Sequence, residues 1–126
     1  MMMAIANPEK PLILATGTKL YHKVSRCYKK PNKIILAEEL NALFQVLPGN
    51  IDATLILDLS LFDDDVEHPA IKTIFKKGFE QRIIVFTSEQ EQTNLYKLFK
   101  QGARGFCHAT ISDELLINAI KAVEDG

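Results

Sequence analysis

The candidate functional residues of this chain lie at or directly after the ends of short apolar runs. They are Ala15 to Thr18, Asp58, Thr87 with Ser88, and His108 with Ala109. A carboxylate such as that of Asp58 can act as a nucleophile, and a histidine can carry a positive charge near neutral pH. These residues can act together only if the fold brings the ends of the apolar runs to one place.

Five apolar runs predict the strands that end at these residues. The runs are "LILA" at 12 to 15, "KIIL" at 33 to 36, "TLILDL" at 54 to 59, "RIIVFT" at 82 to 87 and the weaker "GFCHA" at 105 to 109. They are nearly continuous in Ile, Leu, Val and Phe instead of alternating with polar residues. This pattern is typical of strands that are buried on both faces of a parallel sheet.

Apolar residues at helical spacing follow each of the five runs. The stripes are Leu20, Val24, Cys27 and Tyr28; Leu40, Leu43, Phe44 and Leu47; Val66, Ala70, Ile71, Ile74 and Phe75; Leu95, Leu98 and Phe99; and Leu115, Leu116, Ala119, Ile120 and Val123. Each stripe predicts a helix with one face against the sheet.

Capping residues support these helices. The sequence "SEQE" at 88 to 91 forms a capping box, and either Thr110 or Ser112 can cap the last helix. The glycines that stand where C-terminal caps are expected are Gly49, Gly78 and Gly102.

Strand and helix alternate five times, which predicts right-handed crossovers and helices on both faces of an open sheet. We therefore predict an α/β fold of the flavodoxin-like, doubly wound type, with a five-stranded parallel sheet in the order 2-1-3-4-5 and five helices. The chain is expected to be a single domain over residues 1–126, with residues 1–10 as a flexible N-terminal segment. Ligands of such sheets bind at the carboxyl ends of the strands where the order reverses, between strands one and three.

Composition indicates an ordinary globular protein without a bias toward nucleic acid or anionic membranes. Hydrophobic residues make up 47% and charged residues 25% of the 126 residues, and the net charge is −1. No apolar run approaches the ~20 residues that a membrane-spanning helix needs. The start "MMMAIANPEK" lacks the basic and apolar regions of a secretory signal. A cytoplasmic location is expected, with Cys27 and Cys107 as reduced core residues.

Several of these segments resemble the CheY-like receiver domains of response regulators. The resemblance rests on "LILDLSL" with its late acid, on "IIVFTS", and above all on "QGARGF" followed by "SDELLINAIKAVEDG". The last stretch is closest to receivers of the NarL/LuxR type, which precede a helix-turn-helix DNA-binding domain. The resemblance runs from Pro11 to Gly126, and it is strong in the second half and weak before residue 50.

The resemblance implies roles for three residues. Asp58 matches the Asp that accepts a phosphoryl group from a histidine kinase. Thr87 matches the hydroxyl residue that contacts this phosphoryl group, and Phe106 matches the aromatic residue that changes rotamer on activation. A carboxylate nucleophile of this kind needs a divalent cation that offsets the charge on the phosphoryl oxygens.

The resemblance also shows which groups are missing. Family members hold Mg²⁺ with two acids after strand one, where this chain has Ala15 and Thr16 in a turn that offers only hydroxyls and a glycine. Such groups are poor ligands for a hard cation, so neither a metal site nor a cofactor is expected. The Lys that pairs with the phosphoryl oxygens is matched by Ala109. Without these groups phosphorylation loses most of its electrostatic assistance.

Two sets of residues could replace the missing groups. The three acids at 63 to 65, which begin with Asp63, could reach the pocket of Asp58, although such a cluster is more often a solvated cap to the next helix. His108 could supply a cation, although strand alternation places it and Ala109 on opposite faces.

The predicted first helix has a basic face opposite its apolar stripe. Its members are Lys19, His22, Lys23, Arg26 and Lys30. A solvated face and a docking surface for an acidic protein or for phosphate both fit this pattern. Nucleic-acid binding by this helix is not expected, because the rest of the chain is acidic and no aromatic platform accompanies the lysines.

Together these features predict a signal-transduction receiver domain of a two-component response regulator. It would act by protein–protein interaction, as an atypical pseudo-receiver, and would regulate an attached DNA-binding domain outside this chain. The alternative is a functional receiver that a histidine kinase phosphorylates on Asp58; at most residual self-phosphorylation is expected as an enzymatic activity. A small α/β enzyme or nucleotide binder ranks last, because no G-x-G-x-x-G motif or P-loop is present.

The expected partners follow from the same resemblance. They are a histidine kinase or another regulatory protein, and a second copy of the chain bound through the fourth helix, the fifth strand and the fifth helix. DNA would be reached only through the C-terminal domain, and no membrane contact is expected. The residues of this surface include Tyr96, Lys97, Lys100, Asn118 and Lys121.

Overall fold

Strands and helices alternate along the chain in the predicted order. The computed structural model describes residues 11–28, 34–76, 82–88 and 92–125. The strands are β1 (Leu12–Ala15), β2 (Ile34–Ala37), β3 (Thr54–Asp58), β4 (Arg82–Thr87) and β5 (Gly105–His108). The helices are α1 (Thr18–Cys27), α2 (Leu40–Val46), α3 (Pro69–Lys76), α4 (Gln92–Gln101) and α5 (Asp113–Asp125). A short 3-10 helix, Leu59–Phe62, follows β3.

The five strands form one parallel sheet in the order β2-β1-β3-β4-β5, which confirms the predicted fold. Strand β1 lies between β2 and β3, so that Ala15 at its end has Ala37 on one side and Leu57 on the other. The carboxyl ends of β1 and β3 are therefore neighbours at the point where the strand order reverses. Sheets of this type bind their ligands at this point.

Helices cover both faces of the sheet, which explains why the strands are continuously apolar. On one face α1 and α5 pack against Leu12 and Leu14 of β1. On the other face α2, α3 and α4 pack against Ile13 and Ala15. Alternate residues of the same strand thus serve two separate cores, and no position of the strand is left for a polar residue facing water.

Strands β3 and β5 end one residue earlier than their apolar runs predict. The backbone leaves β3 after Asp58 because the Asp58 side chain accepts a hydrogen bond from the amide of Ser60 and caps the 3-10 helix that begins at Leu59. Leu59 is still fully buried, so its apolar character serves the core without extending the strand. In β5 the strand ends at His108, and Ala109 lies in the following turn.

Two members of the predicted apolar stripes face solvent instead of the sheet. Phe99 of α4 and Leu115 of α5 are each 59% exposed, whereas their neighbours Leu98 and Leu116 are fully buried. Consecutive helical residues point about 100° apart, so only one residue of such a pair can face the sheet. Val66 is buried as predicted, but it lies in the loop before α3.

Two of the predicted helix caps are confirmed, and one is wrong. Helix α2 ends at Val46 with Leu47 as its C-cap in a right-handed conformation, and Gly49 does not have the positive φ of a glycine cap. The amide of Leu115 donates to Ser112 Oγ at 3.2 Å, so Ser112 caps α5. Gly102 follows α4 with φ +123°, a conformation that glycine adopts without strain. No helix within the described ranges is long and apolar enough to span a membrane. The predicted features outside the described residues are the segment 1–10, Lys30, Gly78 and positions 89–91 of the capping box.

Phe62 and Phe99 offer a matched pair for testing this core. Phe62 is fully buried, with its ring edge-on to that of His68 at 5.6 Å between ring centroids, whereas Phe99 is exposed. We expect Phe62→Ala to lower the free energy of unfolding by about 3–5 kcal/mol and Phe99→Ala to change it by less than about 0.5 kcal/mol. Urea unfolding followed by circular dichroism measures both. Equal effects of the two substitutions would contradict the core assignment.

Candidate functional site

The candidate site lies where β1 and β3 end side by side. The pairing of Ala15 with Leu57 brings the next residue of each strand, Thr16 and Asp58, together at the carboxyl edge of the sheet. Thr16 is held in place because its amide donates to the carbonyl of Ala37 at 3.1 Å, so its backbone continues the sheet beyond β1. The side chain of Thr16 is 1% exposed.

The Asp58 carboxyl group accepts hydrogen bonds at both of its oxygens. Thr16 Oγ1 donates to Oδ2 at 2.5 Å. Ser60 donates to Oδ1 twice, from its hydroxyl at 2.7 Å and from its amide at 3.0 Å. Asp58, which is half-buried, is thus held in one position by Thr16 from the turn after β1 and by Ser60 from the 3-10 helix.

This arrangement does not fit a Mg²⁺ site. The positions at which the resemblance expects two acids are a buried Ala15 and a buried Thr16, whose neutral hydroxyl donates to Asp58 and adds no negative charge that would attract a cation. Hard cations prefer several carboxylate or carbonyl oxygens. Across the described ranges no group of three His, Cys, Asp or Glu side chains could hold a metal ion.

Of the three acids that follow β3, one lines the cleft above Asp58 and two do not. Asp63 and Asp64 both have positive φ, of 57° and 55°, which Asp tolerates better than most residues. Asp63 and Asp65 are exposed, and the Asp65 side chain accepts from the amide of Glu67 at 2.9 Å. Asp64 contributes to the lining of the cleft.

The residues at the ends of β4 and β5 lie beside each other. Thr87 is buried and pairs with His108, and its carbonyl accepts from the amide of Ala109 at 2.9 Å. His108 Nδ1 accepts from the amide of Thr110 at 3.1 Å, so this nitrogen is occupied. Ala109, in the turn after β5, lines the cleft above Asp58, whereas His108 does not.

Phe106 lies within β5 and not among the residues that surround Asp58. It is half-buried and packs against the core on the side of α2, α3 and α4. Its role as the aromatic residue that changes rotamer stays a prediction.

A cleft of about 640 Å³ lies above Asp58, and α1 forms one of its walls. The α1 residues that line it are Lys19, Leu20, His22, Lys23 and Arg26. The sequence revealed this basic face by its helical spacing, but only the fold places it beside the end of β3. Ser60, which also lines the cleft, was not singled out from the sequence, because a serine one turn after a strand is common in loops.

Asp113, the first residue of α5, binds two cations of this wall. Its carboxylate accepts from Arg26 Nε at 3.0 Å and from Arg26 Nη2 at 3.1 Å, and it lies 3.2 Å from Lys23 Nζ. The hydrogen bonds from Arg26, followed by that from Lys23, hold the pKa of Asp113 below its usual value. At the other end of α5, Tyr28 Oη donates to Glu124 Oε2 at 2.8 Å. Side-chain contacts therefore join α1 to both ends of α5.

Solved structures show what this fold is similar to, although no protein-family model and no curated protein matches the sequence. A response regulator from Thermotoga maritima matches with a TM-score of 0.78 and 13% identity, over 94% of this chain and 100% of that chain. The receiver domain of a putative Luxo repressor from Vibrio parahaemolyticus matches with a TM-score of 0.76 and 20% identity, over 90% of this chain and 88% of that chain. The receiver domain of the putative response regulator NarL from Mycobacterium tuberculosis matches with a TM-score of 0.71 and 15% identity, over 94% of this chain and 99% of that chain. The chain therefore has the fold of response-regulator receiver domains.

Replacing Thr16 tests its bond to Asp58. Thr16→Val keeps the shape of the side chain but leaves a half-buried carboxylate oxygen without its donor, so we expect the free energy of unfolding to fall by about 1–3 kcal/mol. Thr18→Val, at an exposed threonine two residues later, is the matched control and should change it by less than about 0.5 kcal/mol. Urea unfolding at neutral pH gives both values. A Thr16→Val protein as stable as the control would exclude a stabilising bond.

The contact between α1 and α5 should depend on pH below about 4. The folded-state pKa of Asp113 is lower than its unfolded-state pKa, so its contribution to stability is present above about pH 4 and is lost as the pH falls through the folded-state value. We expect Asp113→Asn to be less stable than the parent protein at neutral pH, with the difference shrinking below about pH 4. Asp125→Asn, at the exposed end of α5, is the control. Thermal unfolding from acidic to neutral pH measures this; a difference that persists in acid would contradict it.

Proposed function

We propose that this chain is a receiver-type signalling module that works through protein–protein interaction and not through phosphorylation of Asp58. The observation that supports this most strongly is the hydrogen bond from Thr16 to Asp58. A hydroxyl donor stands where a metal-binding acid would be needed, and it hydrogen-bonds to the Asp58 carboxylate.

The chemistry of phosphoryl transfer supports the same proposal. A carboxylate that attacks a phosphoryl group brings negative charges together, and the reaction depends on cations that stabilise them. Around Asp58 the buried Ala15 and Thr16 offer no carboxylate to a metal, and Ala109 supplies no cation at the end of β5. Ser60 and Thr16 also hydrogen-bond to both oxygens of the Asp58 carboxylate.

The module would bind partners through its exposed apolar residues. Tyr96 and Phe99 of α4 are each 59% exposed, and Lys100 Nζ lies 5.6 Å from the centre of the Tyr96 ring. Leu115 of α5 is equally exposed. We propose that this surface of α4, β5 and α5 contacts a regulatory protein or a second copy of the chain in the cytoplasm, and that an attached DNA-binding domain outside this chain gives the output.

A second candidate function is that of a phospho-accepting receiver. It is favoured by the basic residues that line the cleft above Asp58, because Lys19, Lys23 and Arg26 could offset part of the charge on a phosphoryl group. In this case Asp58 would receive its phosphoryl group from a histidine kinase despite the missing acids.

Intact mass after incubation with acetyl phosphate and Mg²⁺ distinguishes the two functions. We expect no added phosphoryl group on the parent protein or on Asp58→Asn, because the site lacks the groups that bind the metal. The double variant Thr16→Asp with Ala109→Lys restores a second carboxylate and a lysine, so it should gain a phosphoryl group that depends on Mg²⁺. Ready, Mg²⁺-dependent modification of the parent protein that disappears in Asp58→Asn would overturn the proposal and favour the second function.

A further inference from the structure

The cleft between α1 and the carboxyl ends of β3 and β4 has the size of a small-molecule site. Its volume is about 640 Å³. Ligand sites of proteins commonly measure roughly 300–1,000 Å³ and combine an apolar surface with a few polar groups. An inorganic anion alone would fill only a small part of this space.

One wall of the cleft is cationic, and some of its N–H groups remain free to donate hydrogen bonds to a ligand. Lys23 and Arg26 bind Asp113, which holds both side chains in place. A lysine ammonium has three donor hydrogens and a guanidinium has five, so donors remain on both after the contacts with Asp113 are made. Lys19 lines the same wall, and among the described residues it has no ion-pair partner.

The acids of the cleft come from elements other than α1. Asp58 already accepts hydrogen bonds at both oxygens, from Thr16 and Ser60, so its charge is stabilised within the protein. Asp64 belongs to the loop after the 3-10 helix. Positive charge is thus concentrated on the α1 wall, and an anionic group would bind there.

The remaining surface can bind an uncharged, apolar part of a ligand. Leu20 of α1 and Phe86 of β4 line the cleft, and each is 6% exposed. Ala109 lines it too, and its methyl group leaves open the space that a longer side chain at this position would take up. The cleft therefore combines cations on one side with a shallow apolar area on the other.

We propose that this cleft binds a small organic phosphate of about the size of a mononucleotide. The phosphate lies against Lys19, Lys23 and Arg26, and the organic part lies over Leu20 and the methyl group at position 109. No glycine-rich loop is involved, because side-chain cations bind the phosphate. The proposal does not rest on the function proposed above, since a ligand in the cleft requires neither the presence nor the absence of phosphorylation on Asp58.

Titration of the ¹⁵N-labelled protein, followed by NMR, tests this proposal. The probes are AMP, UMP, glucose 6-phosphate, adenosine and inorganic phosphate, with EDTA present so that no metal bridges probe and protein. We expect at least one phosphate ester to shift the amides of α1 and of Ala109 with a dissociation constant of about 1 mM or tighter. Adenosine and inorganic phosphate should each bind more weakly, because each offers only one half of the contacts.

Variants locate the ligand. Lys19→Ala should weaken binding of the phosphate ester by about fivefold, while Lys121→Ala, at an exposed lysine of α5 that does not line the cleft, should leave it unchanged. Ala109→Leu fills the apolar side and should abolish binding of the ester. The presence of EDTA keeps this result separate from that of the phosphorylation assay, which depends on Mg²⁺.

Several outcomes would overturn the proposal. They are the failure of every phosphate ester to shift these amides, equal affinity for inorganic phosphate and for the esters, and equal effects of Lys19→Ala and Lys121→Ala. Undiminished binding by Ala109→Leu would likewise exclude the cleft as the site.

Discussion

The hydrogen bond between Thr16 and Asp58 is the contact on which the interpretation of this protein depends. It joins residues 42 positions apart, and it forms because β1 and β3 are parallel neighbours whose carboxyl ends lie side by side. The same closeness would let two acids after β1 share a cation with Asp58. In this chain the position holds a hydroxyl donor, so the short distance stabilises the carboxylate directly and leaves no donor set for a metal. The contact between the ends of β1 and β3 is therefore a hydrogen bond within the protein.

Helices α1 and α5 lie on the same face of the sheet, and this placement positions the cations of the cleft. It brings Asp113 to the cations of α1, across 87 positions of sequence, and the resulting contacts hold Lys23 and Arg26 at the wall of the cleft. These pairs are exposed, so their main effect is on the position of the cations and less on the stability of the fold. The end of β5 carries Ala109 and no lysine, so the cations of this cleft lie on α1.

Much of the fold could be predicted because the evidence for it is local. Each strand is a short run of apolar residues, and β1 and β4 have the bounds that their runs predict. The errors occur where local pattern and tertiary contact disagree. Leu59 continues an apolar run but begins a 3-10 helix, because the side chain of Asp58 caps it. Phe99 fits a helical stripe but faces solvent, because its neighbour Leu98 takes the buried position.

The order of the elements, the parallel sheet and the residue types at each strand end are predictable from the sequence, since they follow from hydrophobic periodicity and from the identity of single residues. Which of these residues come into contact depends on the three-dimensional fold. Three contacts depend on strand register and helix placement. Thr16 donates to Asp58, Asp64 rather than Asp63 lines the cleft, and the basic face of α1 borders the cleft instead of facing only water. A shift of a few ångströms makes or breaks a side-chain contact between distant segments, and no local sequence pattern encodes distances of that kind.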